Sequence, residues 1–326
     1  MKRYRRHRIS YRPGNRRGLR CLRACLICVA VAAALLSIQV VARSLRTARL
    51  NRQLVQLHTA DGQPPAAEIA APAQGPSGVE GKKTPDRQPG ELTIAMMTLP
   101  DGSAIQNTAA SAPAAFHKTS GDVLPDMIKL LQTNPDTVGW ISINGIVHLP
   151  VVYRDNEYYL THDFSGHHNT SGALFLDQGS PITSQTQNLL IHGHSMYDGS
   201  MFGLLTHYKK LDTLLRHPII SFSTLYEKEA YAIFAILKVA DGAFDDYTQP
   251  FFTSEAAFEA YLASVRERSI YDIPMDVKFS DALLTLSTCI DNGRLLVMAR
   301  KVRDAESRDA LKSTIEQSSA KNQMAA

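Results

Sequence analysis

The sequence predicts a mainly-β domain, a barrel decorated by peripheral helices, behind a membrane-spanning helix and a disordered stalk. Three observations carry that expectation. Residues 24–42 hold no charged side chain, and a helix of that length rises about 28 Å, close to the hydrocarbon thickness of a bilayer. Residues 43–115 contain no Phe, Tyr or Trp, whereas 22 of the 24 aromatic residues fall between Phe116 and Phe279. Within that aromatic-rich region, short apolar runs alternate with turn signals, the pattern of many short strands. The expected divisions are a basic tail over 1–23, a transmembrane helix over 24–42, a stalk over 43–119, a folded domain over 120–304 and a polar tail over 305–326.

Charge supports this order. The formal net charge is +4, yet residues 1–23 carry ten basic residues and no acidic one. Everything after them holds 25 basic against 31 acidic residues, a net −6. A nucleic-acid binder would place its basic charge on the folded domain, so no nucleic-acid partner is expected. The positive-inside rule assigns the basic tail to the cytoplasm and the bulk to the outside. The expected location is the cell membrane, single-pass. A cleavable signal would have a shorter apolar centre and a small-residue cleavage site. Ala42-Arg43 matches that poorly, and cleavage there is the alternative.

Cysteine usage narrows the chemistry. Cys21, Cys25 and Cys28 belong to the membrane segment or its cytoplasmic edge, and no matching ligand pair follows them. That leaves Cys289 alone in the exported part. It has no intramolecular disulfide partner there, so it is either buried and inert or a nucleophile.

The stalk follows from composition. A segment without aromatics buries too little apolar surface to offset the entropy of ordering it. Leu50–Leu57 is a candidate helical extension of the anchor. The domain then opens with a short helix, Leu124–Gln132, which stops before Asn134-Pro135. Asn144-Gly145 separates strands Val138–Ile143 and Val147–Val152, a strong hairpin signal. Further strands are expected at Ala173–Leu176, Asn188–His192, Ile219–Phe222, Ala230–Val239, Ala282–Thr288 and Leu295–Val302. Helices are expected from Met201 to Leu215 and over Ser254–Arg266, the second with Ser254 as N-cap.

Three features carry chemistry. Thr285-Leu-Ser-Thr-Cys289 puts the lone thiol at the end of an apolar strand. Leu189-Leu-Ile-His-Gly-His194 puts a histidine just past another strand. Ile290-Asp-Asn-Gly-Arg294 turns the chain and starts the next strand with a cation. An unperturbed thiol titrates at ~8.5, so it needs a histidine to take its proton and later protonate a leaving amine. A guanidinium stabilises an oxyanion or a substrate carbonyl.

At these residues the sequence resembles the class B sortases, membrane-anchored cysteine transpeptidases of Gram-positive bacteria. The resemblance spans about 130–302. It includes Asn134-Pro-Asp-Thr-Val-Gly-Trp140-Ile, Asp155-Asn-Glu-Tyr-Tyr-Leu160, His162-Asp-Phe164, Gly193-His194 with Tyr197-Asp-Gly-Ser-Met-Phe202, and Thr285-Leu-Ser-Thr-Cys289. It implies a closed β-barrel of about eight strands with peripheral helices. It also implies Cys289 as nucleophile, His194 as general acid/base and Arg294 as oxyanion or substrate stabiliser. Ser287, Thr288 and Ser195 would contact substrate, and the helix from Ser254 would match the extra helix of class B members. No metal and no cofactor is expected. The implied partners are secreted proteins with a C-terminal sorting motif, often of an Asn-Pro-x-Thr type in this class, and a peptidoglycan or lipid-linked amine that accepts the acyl group.

Two departures qualify the match. The family usually has Asn after the histidine, where this chain has Ser195, and four residues separate Cys289 from Arg294, where relatives commonly have more. Arg300 is the other candidate cation; the rise per strand residue sets it some 20 Å from Arg294. A pilin-polymerising enzyme with a lysine acceptor would use the same three residues. A metallohydrolase would start from His192 and His194, with His167-His168 or Cys289 completing the ligands, but no acidic ligand stands at a recognisable offset.

Overall fold

The computed structural model describes residues 16–59 and 116–320. Residues 1–15 of the basic tail, 60–115 of the expected stalk and 321–326 of the C-terminal tail lie outside the described residues.

Helix α1, Arg16–Thr59, is 44 residues long and runs through the boundary that composition placed at residue 43. The stretch after Ser44 contains no Gly or Pro, and Thr47, Leu50, Leu54 and Leu57 recur at helical spacing. That stripe docks on the folded domain: Thr47 and Leu54 are buried. This stripe orders residues 44–59, the first part of a segment whose lack of aromatics suggested a stalk. Along the earlier part of α1, Val29, Val31, Leu35, Ile38, Val41 and Leu45 are exposed. Among the described residues it is the one helix long and apolar enough to cross a membrane.

The domain begins with α2, Pro125–Thr133, with Pro at its first turn where a missing N–H costs nothing. Strands β1, Thr137–Ile143, and β2, Val147–Tyr153, pair as the expected hairpin, with Gly145 at φ 70°. A single turn of helix, α3, Tyr158–Thr161, was not expected from sequence. Strands β3, Leu174–Leu176, and β4, Asn188–His192, follow. The expected Met201–Leu215 helix is two pieces, a 3-10 turn over Gly203–Lys209 and α4, Leu211–Arg216, because Lys210 is extended. The break lets both Tyr208 and Leu214 bury completely. Then come β5, Ile219–Thr224, β6, Lys228–Ala240, and a 3-10 turn over Asp245–Thr248. Helix α5, Glu255–Arg268, has Ser254 as N-cap, its Oγ accepting from the Ala257 N–H at 3.2 Å. Strand β7, Tyr271–Asp272, leads to β8, Leu283–Ile290, and β9, Gly293–Lys301.

Eight strands close a barrel in the order β1-β2-β3-β4-β8-β9-β6-β5. Pairing is antiparallel except at β2–β3 and β4–β8. The parallel β4–β8 pair is the important one, since it brings two strand C-termini to the same rim. A large apolar cluster fills the barrel and reaches α5. A second cluster on the outside joins Leu54 of α1 to Met127, Leu130, Trp140, Tyr159 and Phe164. There the ring of His58 stacks on Trp140 at 4.1 Å and 6°. Trp140 Nε1 donates to His148 Nδ1 at 3.2 Å.

Part of the C-terminal tail is folded. Helix α6, Arg308–Glu316, buries Leu311 and Ile315, and strand β10, Ser319–Ala320, pairs with β7.

Candidate active site

Strand β8 is buried from Leu283 to Thr288, and the burial ends at Cys289. The thiol is exposed at the barrel rim and makes no hydrogen bond among the described residues. The chain reverses through Asp291-Asn292, with Asn292 at φ 57°, a left-handed conformation that Asn tolerates better than most residues. Sequence placed this turn one residue later, at Asn292-Gly293; Gly293 instead opens β9, paired with Ile290.

The tight turn sets the register. Cys289 lies directly opposite Arg294, and Arg300 lies opposite Leu283 at the other end of β8. Opposed residues share a sheet face, as do residues two apart on one strand. Cys289, Ser287 and Arg294 therefore belong to one face, and Arg294 Nη1 donates to Ser287 Oγ at 3.3 Å. Arg300 has a different environment. It is 1% exposed and held by both carboxylate oxygens of Glu306 at 2.6 Å and by the Asp276 carbonyl at 2.6 Å.

The histidine arrives along β4. His192 is in parallel register with Ser287, where β4 ends, and Gly193 and His194 carry the chain on past the rim at which β8 also ends. Two bonds extend the ladder there. Gly193 N–H donates to the Ser287 carbonyl at 3.2 Å, and Thr288 Oγ1 donates to the Gly193 carbonyl at 2.8 Å. Gly193 is required by close approach, since a Cβ there would stand 2.4 Å from Leu174 and 2.7 Å from Phe202.

His194 Nε2 lies 2.9 Å from the Leu160 carbonyl. A carbonyl only accepts, so Nε2 carries the hydrogen in this contact and Nδ1 is the other ring nitrogen. Gly172 keeps this contact open. It sits at φ 60°, and a Cβ on it would be 2.3 Å from the Tyr159 carbonyl, 3.1 Å from that of Leu160 and 3.3 Å from the His194 ring.

Ser287 and Thr288, expected in the substrate groove, are fully buried with their hydroxyls engaged as described. Ser195 is half-buried and bridges to Met201. His192 Nε2 contacts Asp177 Oδ2 at 3.0 Å, so the two histidines of the His-Gly-His run turn to different partners. Burial would raise the Asp177 carboxyl, but hydrogen bonds from His192, Gly179 and Asn156 hold it below the usual carboxylate range. His167 and His168 are exposed. Among the described residues no three His, Cys, Asp or Glu side chains gather as metal ligands.

Sequence reasoning missed four contributors. Leu160 acts through its carbonyl, which leaves no trace in residue type. Gly172 is one of 19 glycines, with nothing to distinguish it. Tyr247, in the 3-10 turn before α5, is buried close to Arg294; burial pushes its phenol up, against the Arg294 charge, which pulls it down. Asn188 fixes that turn through the carbonyls of Tyr247 and Gln249 at 3.1 and 3.0 Å, and accepts from Thr285 Oγ1 at 2.9 Å.

No protein-family model matches the chain. Curated relatives and solved structures do. The chain is 31% identical over 196 residues to sortase B of Listeria monocytogenes, covering 58% of this chain and 79% of that protein. It is 29% identical over 188 residues to sortase B of Staphylococcus aureus, covering 56% of this chain and 76% of the relative. Sortase B of Bacillus anthracis superposes with a TM-score of 0.53 at 30% identity, over 59% of this chain and 89% of that one. A substrate complex of the Staphylococcus aureus enzyme superposes at 0.53 and 28% identity, over 56% and 88%. A closed mixed barrel with these relatives defines a sortase, a transpeptidase. Within that class, the chain belongs to the sortase B family.

Proposed function

We propose that this sortase cleaves a C-terminal sorting motif of secreted proteins through a Cys289 thioester and transfers the acyl group to a peptidoglycan amine. The observation that carries this reading is the register of Cys289 with Arg294, a solvent-open thiol facing a guanidinium.

His194 Nδ1 takes the thiol proton as the sulfur attacks the scissile carbonyl, and Arg294 offers N–H donors to the developing oxyanion. When the C–N bond breaks, the imidazolium returns the proton to the leaving amine and the acyl group stays on sulfur. An acceptor amine then attacks the thioester, His194 takes its proton, and the C–S bond breaks to regenerate the thiol. Ser287 Oγ accepts a hydrogen bond from Arg294, while the Leu160 carbonyl accepts one from His194.

The exposed apolar face of α1 supports a membrane anchor, with the basic tail cytoplasmic and the catalytic domain outside. Incubating the purified chain with peptides carrying Asn-Pro-x-Thr or Leu-Pro-x-Thr-Gly cores and a peptidoglycan-derived amine tests the whole reading. Mass spectrometry should find the acyl–amine product with one of the cores. Hydrolysis only, with no transfer at any amine concentration, would contradict the assigned acceptor.

A further inference from the structure

Helix α1 passes from an exposed apolar face to a docked one without a linker. Leu45 is still exposed, while Ser44 Oγ already donates to Asp198 Oδ2 at 2.6 Å and Thr47 contacts Ser171 at 3.4 Å. Asn169 Nδ2 donates to Thr47 Oγ1 at 3.3 Å. Ser171 precedes Gly172, which lies against His194, and Asp198 is four residues past that histidine. The two loops framing His194 are thus tied to α1 where it leaves its apolar run. Val41 and Ser44 differ by about 4.5 Å along the axis, so the 195–200 loop stands within one helical turn of the last lipid-compatible residues. Tyr197, at the tip of that loop, is fully exposed at 110%. Arg46 and Arg49 are exposed on α1 at the same level and have no acidic partner among the described residues.

We infer that the catalytic domain rests on the outer face of the bilayer, with Tyr197 in the headgroup zone and Arg46 and Arg49 on anionic headgroups. The partner is a lipid surface, and the proposal rests on the membrane-anchor reading above. Tyrosine suits this position, with an apolar ring and a polar tip, and arginine adds charge complementarity. A rigid helix in place of a flexible tether fixes the domain's tilt. The His194 side of the site then meets acceptors attached to lipid without their leaving the surface.

The test uses the full chain in vesicles of equal parts phosphatidylcholine and phosphatidylglycerol, with bromine on the upper acyl chain as quencher. Trp140 is the only native tryptophan, buried against His58 and about 21 Å further along α1 than Ser44. It serves as the internal control. Tyr197→Trp should add emission that brominated lipid reduces at least about twofold, with the Trp140 signal unchanged. Arg46→Glu with Arg49→Glu should weaken that quenching. Vesicle-bound chains whose added emission is not quenched would overturn the docking while leaving the anchor intact. Chains that fail to float with the vesicles would overturn the anchor itself.

Discussion

Cys289 and Arg294 stand directly opposite each other across the β8–β9 hairpin, and Ser287, on the same face, takes the Arg294 guanidinium at 3.3 Å. The hairpin loop is only two residues long, so backbone register keeps the two residues opposite each other. The proposed chemistry therefore rests on strand register.

Replacing Arg294 should expose this. Arg294→Lys keeps the charge but loses the planar fork, and peptide cleavage should fall by about 10²- to 10³-fold, the effect of losing an oxyanion donor. Thermal stability should barely change. Arg300→Ala should behave in the opposite way. Removing one partner of a buried ion pair costs about 3–5 kcal/mol, read by denaturant unfolding, without a specific effect on the chemical step of the folded fraction.

Ser287→Ala tests whether this hydroxyl positions Arg294. The variant should lower kcat several-fold with KM nearly unchanged. A change confined to KM would assign Ser287 to substrate contact instead.

Gly172→Ala places a methyl against the Tyr159 carbonyl at a positive φ. Backbone strain of this kind costs about 1–3 kcal/mol, so the melting temperature should fall. Displacement of the Leu160 carbonyl should also shift the pH–rate profile, because the His194 Nε2–H would lose its acceptor. An unaltered profile in a destabilised variant would confine Gly172 to a packing role.

Stability should decline on acidification in two joined windows. Burial, aided by the nearby His58, pushes His148 down to about 4, below the ~6.5 of an unfolded chain. The unfolded state therefore binds its proton first, and stability falls as pH drops from about 6.5 toward 4. Protonation also removes the lone pair that accepts from Trp140. Burial would raise Glu229, but His117, Lys301 and Tyr231 hold it at about 2. Its contribution is whole above the usual glutamate value of ~4.3 and is lost as pH falls through about 2. Urea midpoints measured across that range should show His148→Gln flattening only the upper window.

Much of the site was legible in the sequence for a physical reason. A thiol at the end of an apolar strand and a histidine past a second strand are local patterns, as is the short turn to Arg294. The β1–β2 hairpin and the Ser254 cap were legible on the same grounds. What sequence could not supply was the parallel β4–β8 pairing that brings the ends of both strands to one rim, because register between strands 95 residues apart is a tertiary outcome. The docking of residues 44–59 escaped for a different reason. Their aliphatic stripe matches an amphipathic helix, but only the apolar surface around Trp140 and Phe164 gives it something to cover. The groove assignment of Ser287 and Thr288 rested on adjacency to the thiol, whereas their hydroxyls turn inward to Arg294 and Gly193.

The measurement that bears most directly on the proposed chemistry is intact-protein mass spectrometry of the chain mixed with a sorting-motif peptide and no acceptor amine. The account predicts a mass increase equal to the acyl fragment, reversed by hydroxylamine, mapped to Cys289 and absent from Cys289→Ala. Continued peptide turnover by Cys289→Ala, or an adduct on any other residue, would contradict it.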